Sequence, residues 1–125
     1  MTEVGSRVWA IPAGRIPPRG NGREPEFTSR DEMCVLNASR EEASLEITVF
    51  YAGKDPVGPY PLTVGARRVL HVRFNDLIDP EAIPMDEDFA ALVESDVPVV
   101  VQHVRLDSRR PEDSLFGSVG FPAGG

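Results

Sequence analysis

Val99-Val100-Val101-Gln102-His103-Val104-Arg105-Leu106-Asp107 begins as an unbroken apolar run and ends with polar residues at alternate positions. Side chains on a strand project to opposite faces in turn. This reading puts His103, Arg105 and Asp107 on one face and Val104 and Leu106 on the other. An earlier stretch has the same form: Val69-Leu70-His71-Val72-Arg73-Phe74-Asn75. There His71, Arg73 and Asn75 share a face, opposite Leu70, Val72 and Phe74. The chain has 2 histidines, and each lies in a His-Val-Arg tripeptide. Both stretches read as strands, and they set the expectation of a β-rich fold.

The rest of the chain supports that class. Its 12 prolines and 11 glycines interrupt the sequence too often for long helices. Val8 to Ile11 reads as a short strand closed by Pro12. Ala13 to Glu26 then reads as a loop, carrying Arg15, Arg19 and Arg23. Long loops of this kind are often functional. Glu32 to Leu36 is a strand ending in an Asn37-Ala38-Ser39 turn. Ser44 to Tyr51 alternates most clearly, with Leu45, Ile47, Val49 and Tyr51 on one side and Phe50 as the exception. Ala52 to Pro61 reads as turn and edge material, Tyr60 to Val64 as a strand, and Arg67 to Asn75 as the first histidine strand.

Asp76 to Asp88 contains Asp76, Asp79, Glu81, Asp86, Glu87 and Asp88 and no basic residue. Pro80 and Pro84 interrupt it, so it reads as an acidic loop. It lacks the spacing of a calcium-binding loop. Phe89 to Glu94 has helical propensity in its Ala, Leu and Glu residues. Its placement before the long apolar strand favours a strand, with Ser95-Asp96 as a turn and Val97 to Leu106 returning beside it. Leu115 to Phe121 reads as a last strand, with Ser108 to Ser114 exposed and Pro122 to Gly125 frayed. The expected fold is an all-β antiparallel β-sandwich of about eight short strands. It forms a single domain over residues 1–125, with residues 108–125 a partly flexible tail.

Composition narrows the function. With 13 Lys+Arg against 20 Asp+Glu the net charge is −7. That disfavours a dedicated nucleic-acid binder, whose affinity rests on phosphate neutralisation. A regulator using Arg15, Arg19, Arg23, Arg109 and Arg110 would need assembly to gather them on one surface. The single cysteine, Cys34, excludes an intrachain disulfide and a thiolate metal cluster within one chain. No apolar run is long enough for a spanning helix, and the N-terminus lacks a signal-peptide core. The chain reads as a soluble cytoplasmic protein.

No Gly-x-Ser-x-Gly motif occurs, and Cys34 lies in an apolar strand, so a nucleophilic triad has no support. Zinc ligation by His71, His103 and a carboxylate is chemically ordinary but demanded by no spacing. Gly20-Asn21-Gly22 precedes no helix and is no dinucleotide fingerprint. No cofactor is expected, and the chain reads as a non-enzyme. The candidate ligand-binding residues are Arg68, His71, Arg73, Asn75, Gln102, His103, Arg105 and Asp107, with Trp9 as an aromatic wall. Arginine pairs bidentately with carboxylates, and Asn and His give directional hydrogen bonds to hydroxyls. The alternative is a satisfied polar network within the sandwich or across a subunit contact.

Several segments resemble the sensory rhodopsin transducer family. They are Val8-Trp9-Ala10-Ile11, Ile16 to Gly22, Glu24-Pro25-Glu26-Phe27, Asp55 to Tyr60, Leu62-Thr63-Val64, Ala66-Arg67-Arg68, His71 to Leu77, Val97 to His103 and Arg105 to Arg109. The resemblance runs from about Val8 to Ser114. It implies a small cytoplasmic β-sandwich that assembles as a homotetramer. It further implies a signal transducer that docks on a membrane photoreceptor, a sensory rhodopsin, at its cytoplasmic face. The resemblance also implies a proposed downstream role in DNA binding, as for the member that gives the family its name. Relatives without a rhodopsin have been proposed to bind sugar-like small molecules.

Overall fold

Val99–Asp107 is the second part of one strand, β6 (Asp88–Asp107), which is 20 residues long. The computed structural model describes residues 4–16, 30–107, 114–119 and 121–124. Seven further strands surround β6: β1 (Ser6–Arg15), β2 (Arg30–Asn37), β3 (Ala43–Tyr51), β4 (Val57–Val64), β5 (Arg68–Arg73), β7 (Ser114–Val119) and β8 (Phe121–Gly124). All pair antiparallel. An isolated parallel bridge joins Ile16 to Met85. One layer has the order β4-β3-β6-β1-β8, and β5-β2-β6-β7 forms the other, so β6 belongs to both. Their inner faces share one core, with Ile11, Leu45, Ile47, Val49 and Val93 from the first layer and Met33, Val35, Val99 and Val101 from the second. The fold is the expected antiparallel β-sandwich.

The first part of β6 shows why helical propensity loses. Phe89, Ala91 and Val93 are buried, while Glu94 is exposed. Ala91 lies between Ile11 on β1 and Val49 on β3, and Val93 between Trp9 and Ile47. Phe89 and residues 91–94 have pairing neighbours on both sides, and context of this kind overrides a weak local preference. Gly14 pairs with Phe89, and a Cβ at Gly14 would sit 2.4 Å from the Phe89 ring. Only glycine lets that ring lie over the β1 backbone.

Ser95-Asp96 does not reverse the chain, which corrects the expected hairpin. The residues form a bulge within β6: Val8 pairs with Glu94 but Ser6 pairs with Val99. A step of five along β6 (94 to 99) thus matches a step of two along β1 (8 to 6). Bulges of this kind bend a strand and let it leave one layer for another. The turn-forming chemistry is real but serves the bend. Ser95 Oγ accepts from the Val97 N–H at 3.3 Å, and Asp96 Oδ1 accepts from the Ser44 N–H at 2.8 Å. The Trp9 indole N–H donates to the carbonyls of Ser6 (2.9 Å) and Val99 (2.8 Å), pinning β1 across the irregularity.

Other boundaries move for similar reasons. Strand β1 continues through Pro12 to Arg15 because the register shifts between Ile11 and Gly14, where a missing N–H is tolerated. Ala13 to Arg15, expected as the start of a loop, are therefore strand, and residues 17–29 lie outside the described part. Strand β4 starts at Val57, three positions before the expected Tyr60. The β5 strand stops at Arg73, and Phe74–Asp76 form a single 3-10 turn. At the other end, Phe121–Gly124 pair with β1 where a frayed end was expected. Residues 108–113 lie outside the described part.

Candidate functional site

The two His-Val-Arg tripeptides lie on either side of β2. Met33 pairs with Val72 on β5 and with His103 on β6, whereas Cys34 pairs with His71 and Gln102. Paired residues project to the same side of a sheet, and a one-residue offset changes the side. His103 therefore faces the core, 3% exposed, and His71 faces outward. A pocket shared by both histidines does not form. On β6 the face that carries His103 is the buried one: His103 lies with Val99 and Val101 toward the core, while Gln102 is exposed and Val104 half-buried.

The core-facing half is organised by Asp31, which is fully buried. Its Oδ1 lies 2.5 Å from His103 Nε2. Oδ2 accepts from the Arg15 N–H at 2.7 Å, and the Asp31 N–H donates to Asn75 Oδ1 at 3.5 Å. The Phe74 ring stands edge-on to His103, with centroids 6.5 Å apart, and packs against Phe89 at 5.0 Å. A buried carboxylate is tolerable only when such donors satisfy it. This cluster ties β1, β2, β6 and the 3-10 turn together. Asp31 escaped the sequence reading, although the pattern contained it. Asp31, Met33, Val35 and Asn37 alternate along one side of β2, and all four have 0% exposure.

A carboxylate-oriented histidine is half of a nucleophilic triad. Cys34 does not complete it, because it sits on the opposite face from His103. Burial, and then the neighbouring Glu32 carboxylate, push the Cys34 thiol above its ordinary range, which keeps it protonated.

The outward half of the same layer is built in rows. Val69 and Leu36 pair, 59% and 42% exposed, with Val100 beside them. The next row is His71, Cys34 and Gln102, and the one after is Arg73, Glu32 and Val104. Of the remaining predicted residues, Trp9 is a core strut with its N–H satisfied, not a pocket wall. Arg68 is exposed and donates to the Arg67 carbonyl at 3.2 Å. Arg73 and Asn75 are half-buried. The backbone of Arg105 pairs with Asp31 and that of Asp107 with Ser114, but the side chains of both lie outside the described residues.

The acidic segment forms a third feature. Arg15 binds Asp86 at 3.0 Å and Asp88 at 3.2 Å, and Lys54 binds Glu81 at 3.2 Å. The Tyr60 hydroxyl donates to the Glu81 carbonyl at 2.6 Å, while Leu77 and Ile83 are buried beneath the segment. Beside it lies a cavity of about 390 Å³ lined by Ala52, Gly53, Lys54, Glu87 and Asp88. Lys54 Nζ stands 4.5 Å over the Tyr51 ring. Burial, then the Glu87 and Glu81 carboxylates, raise the Tyr51 phenol above its ordinary range. Among the described residues, no group of three or more His, Cys, Asp or Glu side chains is placed to hold a metal ion. Of the arginines considered for DNA, Arg15 is engaged by Asp86 and Asp88; Arg19, Arg23, Arg109 and Arg110 lie outside the described residues.

No helix among the described residues is long and apolar enough to cross a membrane. Comparison with curated proteins yields no match. Among solved structures, one named Anabaena sensory rhodopsin transducer is 59% identical, with a TM-score of 0.76, covering 86% of this chain and 94% of that one. A crystal structure from Thermotoga maritima is 30% identical, with a TM-score of 0.84, covering 98% of both chains. The family model described as Anabaena sensory rhodopsin transducer matches residues 4–122, slightly further at each end than the resemblance in the sequence motifs. The chain belongs to the Anabaena sensory rhodopsin transducer family.

Proposed function

We propose that this chain is a cytoplasmic signal transducer that acts by protein–protein contact, with a microbial sensory rhodopsin as its membrane partner. The observation that carries the reading is the family match over residues 4–122, together with 59% identity to a structure named for that role. Its geometry suits contact better than catalysis. The buried Asp31–His103 pair braces the sandwich and has no nucleophile in Cys34. Exposed apolar residues on β2 and β5 lie among His71, Arg73 and Gln102, a mixture suited to a protein interface. In this reading the chain works as a single domain and assembles as a homotetramer, with the β5-β2-β6 outer face as the subunit contact. The test is flash photolysis of the rhodopsin from the same organism, reconstituted with and without the protein. A changed photocycle decay and co-purification are expected; an unchanged decay with no complex refutes the partner.

The cavity beside Lys54 favours a second reading, a small-molecule sensor for a sugar-like or carboxylate ligand. Such a ligand would raise the melting temperature of the native protein and lose that effect in Lys54→Ala. A sugar and carboxylate panel that leaves melting unchanged removes this reading. His71, Arg73 and Gln102 would then be interface residues, with Trp9, Asn75 and His103 holding the frame.

A further inference from the structure

Three arginines stand together at one end of the sandwich without a carboxylate partner. Arg40 lies in the turn between β2 and β3, and Arg67 and Arg68 lie where β4 turns into β5. The two turns touch: the Arg67 N–H donates to the Ser39 carbonyl at 3.0 Å, and Arg68 pairs with Asn37. All three arginines are exposed, and none forms a salt bridge among the described residues. Acids outnumber bases in this chain by 20 to 13, and Arg15 and Lys54 both hold carboxylates. Glu41 and Glu42 follow Arg40 directly, yet neither forms a salt bridge with it or its neighbours.

The backbone beneath the three arginines is fixed. The buried Asn37 amide donates to the carbonyls of Glu41 (2.8 Å), Val64 (3.2 Å) and Gly65 (3.1 Å), which ties both turns to one point. Arg67 is held at φ +56°, a left-handed conformation that residues with a side chain seldom adopt. Strain of this kind persists only where the surrounding structure imposes it, and it clusters at binding sites. Guanidinium groups carried on such a frame lose less freedom when they engage a ligand.

We propose that Arg40, Arg67 and Arg68 form a contact for the anionic headgroups of a lipid membrane. This rests on the transducer reading above, whose receptor lies in a membrane. Charge complementarity selects the occupant, because guanidinium groups pair bidentately with phosphate oxygens. A receptor loop fits poorly, since the cytoplasmic loops of membrane proteins themselves carry an excess of Lys and Arg. A nucleic-acid duplex follows a long path over a protein and would meet the chain's excess of acids. A planar leaflet touches one end of the molecule alone. The acidic Asp76–Asp88 segment lies beyond the far end of β5. The strand from Arg68 to Arg73 spans about 17 Å, about two Debye lengths at physiological ionic strength. Its charge is therefore screened from a leaflet at the arginine end. Each arginine near an anionic leaflet strengthens binding about fivefold.

The experiment measures co-flotation of the full chain with vesicles of phosphatidylglycerol and phosphatidylcholine, and of phosphatidylcholine alone. Two triple variants take the net charge from −7 to −7 − 3 = −10. Arg40→Gln/Arg67→Gln/Arg68→Gln removes the patch, whereas Ile78→Glu/Ala82→Glu/Met85→Glu adds acids at exposed positions of the far segment. The wild type should bind the anionic vesicles and not the neutral ones. The Gln triple should bind about a hundredfold more weakly, and the Glu triple within about twofold of the wild type. Glu41→Gln/Glu42→Gln, which removes the acids beside Arg40, should bind several-fold more tightly. No wild-type binding to anionic vesicles, equal losses in the two triples, or no gain in the last variant overturns the proposal. Binding of a DNA duplex that the Gln triple loses, without vesicle binding, assigns the patch to nucleic acid and overturns the lipid contact. Rhodopsin in neutral-lipid nanodiscs separates this contact from the receptor reading. Binding there without vesicle binding overturns the lipid contact and leaves the receptor reading standing. Vesicle binding as predicted, with no binding of rhodopsin, supports the lipid contact and refutes the receptor reading.

Discussion

Strand β2 separates two regions that read alike in sequence and differ in every physical respect. On its inner side, Asp31 holds His103 amid Phe74 and Phe89. On its outer side, Cys34 lies between His71 and Gln102 on an open face. Both histidines occur in the same tripeptide, yet one closes a buried network and the other is presented outward. The difference teaches that the residues of a strand do not decide which face becomes the core. Register against the neighbouring strand decides it, and a single step inverts the assignment.

The contrast is broken most severely from the inside. Asp31→Ala leaves His103 and the Arg15 N–H buried without their acceptor, at a cost of about 3 kcal/mol in urea unfolding. A loss below about 0.5 kcal/mol would show that the cluster does not brace the fold. Gly14→Ala comes next. Its Cβ would press on the Phe89 ring at 2.4 Å, and overpacking of this kind costs about 1–3 kcal/mol. Undiminished stability would mean that β1 and Phe89 move apart freely.

Alkaline pH sharpens the comparison from the outer side. The folded Cys34 thiol and Tyr51 phenol are raised above their ordinary values, so the folded state holds these protons to higher pH than the unfolded chain does. Stability therefore falls as pH rises past the unfolded thiol and then the unfolded phenol. Iodoacetamide labelling of native Cys34 should show its pH midpoint above that of a free cysteine; a midpoint at or below it contradicts the burial assigned to the thiol. The smallest effect is expected for His71→Ala, which should change unfolding stability by less than about 0.5 kcal/mol. A loss as large as that for Asp31→Ala would erase the distinction between the faces.

Much of this arrangement was legible in the chain. Alternation in Ser44 to Tyr51, the Gly and Pro punctuation and the apolar run at Val99 specify an antiparallel sandwich, and the Asn37 turn forms where its residue types place it. Asn37 Oδ1 accepts from the Ser39 N–H at 3.1 Å, as a turn-forming Asn does. What stayed hidden depends on long-range pairing. Ser95-Asp96 has the chemistry of a turn, and only the β1 partner makes it a bulge. Alternation separates His103 from Val104 and Leu106, but the run of valines before them is apolar on both faces and cannot say which face is buried. Asp31 lay just outside the strand read from Glu32, and its partners Arg15, Asn75 and His103 arrive from three distant segments.

The separation of the two histidines is tested most directly by diethyl pyrocarbonate labelling of the native protein, mapped by mass spectrometry. His71 should label in the folded state, more slowly as protein concentration drives self-association. His103 should remain unlabelled until the chain is unfolded. Labelling of His103 in the folded protein as fast as that of His71 would contradict the account.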